Sequence, residues 1–267
     1  MIRVDPPEEG FVFVREASPG PMAGAAVGRR VAKADFAPPC IVVDRELSSV
    51  IVGGWPGRLY RVAVTPPATD AERAALTQAN EGLRQPARYI RAFTVDVLAE
   101  WPASALFGPH GAAVVAVLDA ARALTPRAAA RLAAASTPGA AARYGAAWNR
   151  WLTGEPNAAP YLDRDHRHTL AIPGAGPADS PIGKGFLAVS AAVRAAARDR
   201  GGPTAFETEY DEDDGQSEEV MAHPWSHALG PLLHAAMALG APHLMSDADR
   251  DALTAPWRAT TADRPPR

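Results

Sequence analysis

Residues 92–124, AFTVDVLAEWPASALFGPHGAAVVAVLDAARAL, contain the change of pattern that decides the fold. Over residues 92–98 apolar and polar side chains alternate, and this period of two is typical of a half-buried strand. After Trp101 and Pro102 the period changes, because residues 109–124 repeat apolar side chains at helical spacing with few polar ones. We expect this second segment to be the central helix of the core.

On the N-terminal side of this stretch, three short runs have the composition of strands. They are rich in β-branched and aromatic residues and are bounded by Gly and Pro: residues 11–15, 40–43 and 58–64. Residues 69–84 predict a helix, with Thr69 or Asp70 as its N-cap and Glu72 in its first turn. Residues 47–54, LSSVIVGG, fit either a helix end or another strand. Residues 1–101 are therefore predicted to form a small mixed β-sheet module with one helix.

On the C-terminal side, helix signals follow in series. Thr125-Pro126 and Thr137-Pro138 each combine an N-cap hydroxyl with a proline at the first helical position. The second of these helices aligns a mainly aromatic stripe, Tyr144, Trp148, Trp151 and Leu152. We expect this stripe to face the core, the alternative being a wall that stacks on a ligand.

Three further helices complete the predicted C-terminal half. They begin near Phe186, at Trp225 and after Ser246, and Pro231 is expected to bend or split the second of them. The sequence thus predicts an α+β protein in which residues 102–267 are mainly helical. A loop-rich insertion near 154–185 and an acidic loop near 207–219 interrupt that helical region.

Charge and cysteine content narrow the classes of partner. The 267 residues carry 27 Lys and Arg against 30 Asp and Glu, a net charge of −3, which disfavours nucleic-acid and anionic-membrane partners. The single cysteine, Cys40, excludes an internal disulfide and the usual thiolate zinc sites. The segment MIRVDPPEEG lacks the basic and apolar regions of a secretion signal, so a cytoplasmic location is expected. The preference for Arg over Lys and the abundance of Ala suit a high-GC bacterial genome.

The histidines form the first candidate site. A strand over residues 165–172 would direct His166 and His168 to one face, and a helix over 225–239 would place His227 and His234 within about 20° of each other. Such imidazoles can ligate a metal or move protons near neutral pH. The zincin glutamate is missing, because Pro224 follows His223. The candidate metal ligands are His166, His168, His223 and His227, and the alternative is histidines without a metal.

A glycine-rich segment, residues 174–185 (GAGPADSPIGKG), is the second candidate. It precedes a helix, a context in which backbone N–H groups bind phosphate, and Gly183, Lys184 and Gly185 would form the ligand-binding part. The segment fails as a P-loop, since the required serine or threonine falls at Gly185. The alternative is a long connection between two elements.

The acidic segment, residues 207–219 (ETEYDEDDGQSEE), has eight acidic residues and no basic one. This composition predicts a hydrated, mobile loop. The functional alternatives are that the segment binds a basic partner surface or weakly holds a divalent ion. The positions of the acidic residues relative to the glycine exclude an EF-hand.

His110 is the catalytic candidate. It would lie in the first turn of the predicted core helix, where the helix dipole favours the neutral imidazole and so suits an electrophile or a base. The alternative is a turn histidine without a role. The common nucleophile motifs, among them Gly-x-Ser-x-Gly and Cys-x-x-Cys, are missing from the sequence.

An early strand, then Gly-Trp-Pro-Gly at 54–57 and Arg-Leu-Tyr-Arg-Val at 58–62, give an order of elements that resembles small bacterial ADP-ribosyltransferase-like folds. The resemblance implies a nucleotide or NAD-like ligand. Arg15, Arg58 and Arg61 would then donate to its phosphates. No catalytic triad of that family can be matched residue by residue.

We therefore expect a cytoplasmic bacterial binding or regulatory protein that acts as a protein-interaction module, with a protein or a small molecule as its partner. The first alternative is a nucleotide- or NAD-binding enzyme of ADP-ribosyltransferase-like type. The second is a histidine-ligated, metal-dependent hydrolase. The sequence identifies no cofactor and does not decide between enzyme and binding protein.

Overall fold

The computed structural model describes residues 8–33, 35–81, 88–135, 137, 139–154, 181–210 and 217–262. The chain divides into two compact units. The sheet unit comprises Met1–Val52 and Pro56–Leu106, and the helical unit comprises Gly53–Trp55 and Phe107–Arg267. The predicted α+β class is confirmed.

The sheet unit contains six strands in the order β2-β6-β4-β1-β3-β5, and every neighbouring pair is antiparallel. The strands are β1 (Glu9–Arg15), β2 (Arg30–Ala32), β3 (Ile41–Asp44), β4 (Gly57–Val64), β5 (Tyr89–Ala92) and β6 (Thr94–Trp101). The four predicted strands correspond to β1, β3, β4 and β6. The sequence analysis missed β2 and β5. Leu47–Ser49 is a 3-10 turn, so the ambiguous segment 47–54 contains no strand.

One face of the sheet carries the core of this unit. Alternate residues of neighbouring strands point to this face and are buried there: Val12, Val14, Ile41, Val43, Tyr60, Val62, Val95 and Val97. The one α-helix among the described residues of this unit, α1 (Asp70–Asn80), begins as predicted, because the Thr69 hydroxyl accepts a hydrogen bond from the backbone N–H of Glu72 at 3.1 Å. The Asn80 side chain then bonds both backbone groups of Arg91 in β5, which fixes the end of the helix against the sheet.

The helical unit contains six helices and a hairpin among its described residues. The elements are α2 (Gly111–Arg122), α3 (Pro126–Ala134), α4 (Ala140–Gly154), α5 (Pro181–Arg200), β7 (Phe206–Tyr210), β8 (Ser217–Met221), α6 (Trp225–Gly240) and α7 (Asp247–Ala262). Thr125 caps α3 as predicted, accepting from the N–H of Ala128 at 3.2 Å. Tyr144, Trp148 and Trp151 are buried, which confirms that the aromatic stripe of α4 belongs to the core.

The central helix of this unit is α6, not the predicted segment at 109–124. Helix α6 packs against α2, α3, α4, α5 and α7. Its buried positions lie on all its sides, whereas α2 keeps an exposed stripe that includes Ala112, Ala116 and Asp119. In the part of the chain that the structure describes, no helix is both long enough and apolar enough to cross a bilayer.

The close packing of α6 on α2 gives the first prediction. A Cβ atom added at Gly240 would lie 2.8 Å from Cγ2 of Val114, so Gly240→Ala should lower the free energy of unfolding by about 1–3 kcal/mol. Gly145→Ala in α4 is the matched control, because nothing lies within 4 Å of the added Cβ. The control should be neutral or stabilise by up to about 1 kcal/mol. Urea unfolding measures both, and equal stabilities of the two variants would contradict the packing.

Candidate functional site

A cleft of about 100 Å³ lies in the helical unit, with walls from α6, α7 and the residues that start α4. It is lined by Thr137, Ala140, His227, Gly230, Pro231, His234, Ala252, Leu253 and Pro256. An apolar cavity of roughly 150 Å³ holds a benzene molecule. The cleft therefore has room for a smaller organic group.

Two of the predicted histidines meet at this cleft. His227 and His234 are seven residues apart on α6 and both line it, as the helical spacing predicts. The ring of His223, just before the helix, lies edge-on to the ring of His227 with 4.9 Å between centroids. His227 also has its Nδ1 atom 3.3 Å from the hydroxyl of Ser226.

His234 has the most perturbed environment of these histidines. Its ring is tilted against the buried Tyr144 ring with 5.1 Å between centroids. Burial lowers the pKa of His234 to about 4, and it raises the pKa of Tyr144 above its ordinary value. Above that pKa the His234 ring is neutral and offers one N–H donor and one acceptor nitrogen. Within the described residues no hydrogen bond holds either nitrogen.

A proline stands inside each of the two helices that form the cleft, Pro231 in α6 and Pro256 in α7. Pro231 was expected to bend or split its helix, and it does not split it, because α6 runs as a single helix over Trp225–Gly240. The helix persists because neighbouring helices pack around it, so that burial outweighs the loss of one backbone hydrogen bond.

The predicted metal site lies only partly among the described residues. No group of three or more His, Cys, Asp or Glu side chains there is placed to hold a metal ion. His223 and His227 are close together. His166 and His168 lie outside the described residues.

The glycine-rich candidate falls partly in a helix. Helix α5 begins at Pro181, so Gly183, Lys184 and Gly185 belong to its first turns and not to a loop. Gly185 is buried, and a Cβ there would lie 3.9 Å from the Cβ of Ala236. The Lys184 side chain lies outside the described part of the chain. The expected helix start near Phe186 was therefore wrong by about one turn, because proline at a first helical position favours the earlier start.

His110 occupies the N-cap position of α2. Its side chain is exposed and makes no capping hydrogen bond. No hydrogen bond, ion pair or ring contact joins it to another predicted site residue among the described residues.

The three candidate arginines do not converge. Arg58 and Arg61 are three residues apart on β4 and therefore point to opposite faces of the sheet. Arg58 donates to both carboxylate oxygens of Glu100, through Nε at 2.8 Å, and Arg61 is bonded to the carboxylate of Glu9. Arg15, at the exposed end of β1, pairs across the strands with Gly57. Two of the three guanidinium groups thus hold carboxylates of the sheet itself.

The acidic segment, predicted as a mobile loop, forms the strands β7 and β8 over much of its length. Their register pairs Phe206 with Met221 and Thr208 with Glu219 on one face. This inner face is held by α5, because Arg198 donates to the Glu219 carboxylate at 2.6 Å and lies 5.0 Å from the centroid of the Phe206 ring. Arg194 lies over the same ring and donates to the Glu219 carbonyl oxygen. The acidic composition of residues 207–219 does not predict these strands, because the arginines that stabilise them come from a distant helix.

The opposite face of the hairpin carries three exposed carboxylates, and we call it the acidic face. It consists of Glu207, Glu209 and Glu218 together with the half-buried Val220. Glu209 and Glu218 stand directly opposite each other across the two strands. No ion pair joins any of the three glutamates to a described residue.

Sequence reasoning missed several residues of the cleft. Pro256, Ala252 and Thr137 were not candidates, although Pro256 is visible as a proline inside a helical pattern. What the pattern does not reveal is that Pro231 and Pro256 line the same space.

Comparison with known proteins found no match: no family model, no curated protein and no solved structure resembles this chain significantly.

The burial of His234 gives a pH-dependent prediction. The unfolded chain binds this proton near pH 6.5 and the folded protein only near pH 4, so the free energy of unfolding falls as the pH is lowered through that window. We expect a loss of about 2 kcal/mol between pH 7 and pH 5 from this group. Urea unfolding at the two pH values measures the loss, and a histidine proton titration by NMR measures the pKa.

Two variants separate His234 from other titrating groups. His234→Gln should remove this part of the pH dependence, whereas His243→Gln, at an exposed position of the turn Pro242–Leu244, should keep it. A midpoint near pH 6.5 for His234, or an unchanged pH dependence in His234→Gln, would contradict the burial of this side chain.

Proposed function

We propose that the protein is a protein-binding module that docks a basic partner on the acidic face of its β7–β8 hairpin. One observation carries the proposal: Glu209 and Glu218 are directly opposed across the strands, beside Glu207, with no cation from the described residues between them. The neighbouring Glu219, on the other face, has Arg198 as its partner.

The energetics support a binding role for this face. A two-stranded hairpin has little stability of its own, and like charges placed directly opposite each other reduce it further. The contacts that hold the hairpin on α5 involve Phe206 and Glu219, which lie on the other face. A partner that places lysine or arginine side chains on this face would offset the repulsion between the glutamates by forming ion pairs with them.

The sequence extends the same charge. Residues 211–216, DEDDGQ, connect the two strands and add four carboxylates. Complementary charge of this kind mainly sets the specificity and the association rate of a complex. A protein partner with a basic segment therefore fits the hairpin better than a neutral or acidic one.

The same proposal retains a cytoplasmic location, which the single cysteine supports. The nucleotide-binding alternative has less support, because Arg58 and Arg61 point to opposite faces and hold Glu100 and Glu9.

Site-specific crosslinking in the native bacterium tests the proposal. Val220, the half-buried residue of the acidic face that lies opposite Glu207, is replaced by a photoreactive amino acid, and the captured protein is identified by mass spectrometry. We expect one predominant partner with a basic surface segment. Adding Glu207→Gln, Glu209→Gln and Glu218→Gln should reduce its capture about tenfold, because each exposed charge pair contributes roughly 0.2–1 kcal/mol.

A second triple variant controls for the change in net charge. Glu16→Gln, Glu46→Gln and Glu81→Gln alter three exposed carboxylates of the sheet unit and should leave the capture unchanged. Equal capture by both triple variants, or capture of no protein at all, would show that the acidic face is not a docking surface.

A further inference from the structure

The two prolines of the cleft occupy helix-interior positions, where proline destabilises the helix. A proline inside a helix removes one backbone hydrogen bond and crowds the preceding turn, and it is the least favourable residue there. Pro231 and Pro256 come from different helices, and both are buried. Both also line the same 100 Å³ cleft.

Each proline releases a backbone acceptor on the wall that it helps to form. Because proline has no N–H group, Pro231 cannot donate to the carbonyl of His227, and Pro256 cannot donate to the carbonyl of Ala252. His227 and Ala252 themselves line the cleft. Two lining residues therefore carry carbonyl groups that lack their usual helical donor.

The other polar groups of the cleft complete a neutral set. His234 lines it with a ring that makes no hydrogen bond among the described residues, and Thr137 adds a hydroxyl. No Asp, Glu, Lys or Arg is among the lining residues of the described chain. The remaining lining is apolar, as in most small-molecule sites.

We propose that this cleft binds the carboxamide group of a small neutral molecule or of a glutamine or asparagine side chain. The amide NH2 donates to the carbonyl oxygens of His227 and Ala252, and the amide oxygen accepts from the N–H of His234. A carboxamide has two donor hydrogens and one strong acceptor, which is the complement of these three groups. The site is separate from the hairpin residues, so this inference does not rest on the proposed function.

NMR titration of the full-length protein tests the inference, with the histidine ring signals as reporters. Acetamide should shift the His234 and His227 signals with a dissociation constant of about 1–100 mM, as expected for a ligand with so few atoms. Acetone is the matched probe, because it has nearly the same shape and no N–H donor. We expect acetone to bind at least tenfold more weakly, and equal binding or no binding of acetamide would overturn the proposal.

Two variants that fill the cleft locate the binding. A Cβ added at Gly230 meets no atom within 4 Å, so Gly230→Leu should occupy the cleft and abolish the acetamide shifts. Ala252→Leu, on the other wall, should do the same and serves if the first variant folds poorly. Gly145→Leu, in equally open surroundings on α4, should keep the wild-type dissociation constant. Undiminished binding by both folded cleft variants would overturn the proposal.

Peptides distinguish the two sources of the carboxamide. Gly-Gln-Gly binding at least as tightly as acetamide, with Gly-Glu-Gly inactive, would support a side chain of a partner protein as the ligand. Acetamide binding with both peptides inactive would support a free small amide.

Discussion

The packing of α6 is the constraint on which the helical unit depends. This helix lies against α2, α3, α4, α5 and α7, and its closest contacts involve small residues. Ala236 meets α5 at Gly185, and Gly240 meets Val114 so closely that a single methyl group does not fit. At the other end, Gly201 leaves room for the indole of Trp225, whose Nε1 atom would lie 2.8 Å from an added Cβ.

The same burial makes the two helix-internal prolines costly. A backbone carbonyl that has lost its helical donor is costly when it is also cut off from water or another donor. Pro231 removes the usual donor of one carbonyl in α6, and Pro256 removes that of a second one in α7. Both prolines line the cleft, so the ligand that we propose there would supply the donors that these carbonyls lack.

The two faces of the β7–β8 hairpin differ in how their charges are paired. Arg194 and Arg198 stabilise the hairpin from the side of α5, where Phe206 and Glu219 meet them. Their charge does not reach across the strands to Glu209 and Glu218 with the same effect, because solvent screens exposed charges over short distances. The negative charge of the hairpin is thus balanced by arginine side chains on one face only. This asymmetry follows from the alternation of side chains along a strand, which separates Glu218 from Glu219.

Local signals in the sequence predicted much of the architecture. The alternation at 92–98 identified β6, the hydroxyls of Thr69 and Thr125 identified two helix starts, and the aromatic stripe of α4 identified part of the core. Elements that form only by pairing with distant segments of the chain were not predicted. Strand β2 has three residues and is defined by its pairing with β6, which begins more than sixty residues later.

The candidate site shows the same division between local and distant information. Helical periodicity placed His227 and His234 on one face, since that relation lies within a single helix. The meeting of Pro231 with Pro256 depends on the packing of α6 against α7, and no pattern along the chain encodes it. A proline in an apolar helical segment shows only that the helix is destabilised at that position. When a second proline proves to line the same cleft, both destabilised helix positions border one space, and that shared position is why we propose the carbonyl groups of His227 and Ala252 as joint acceptors for a ligand.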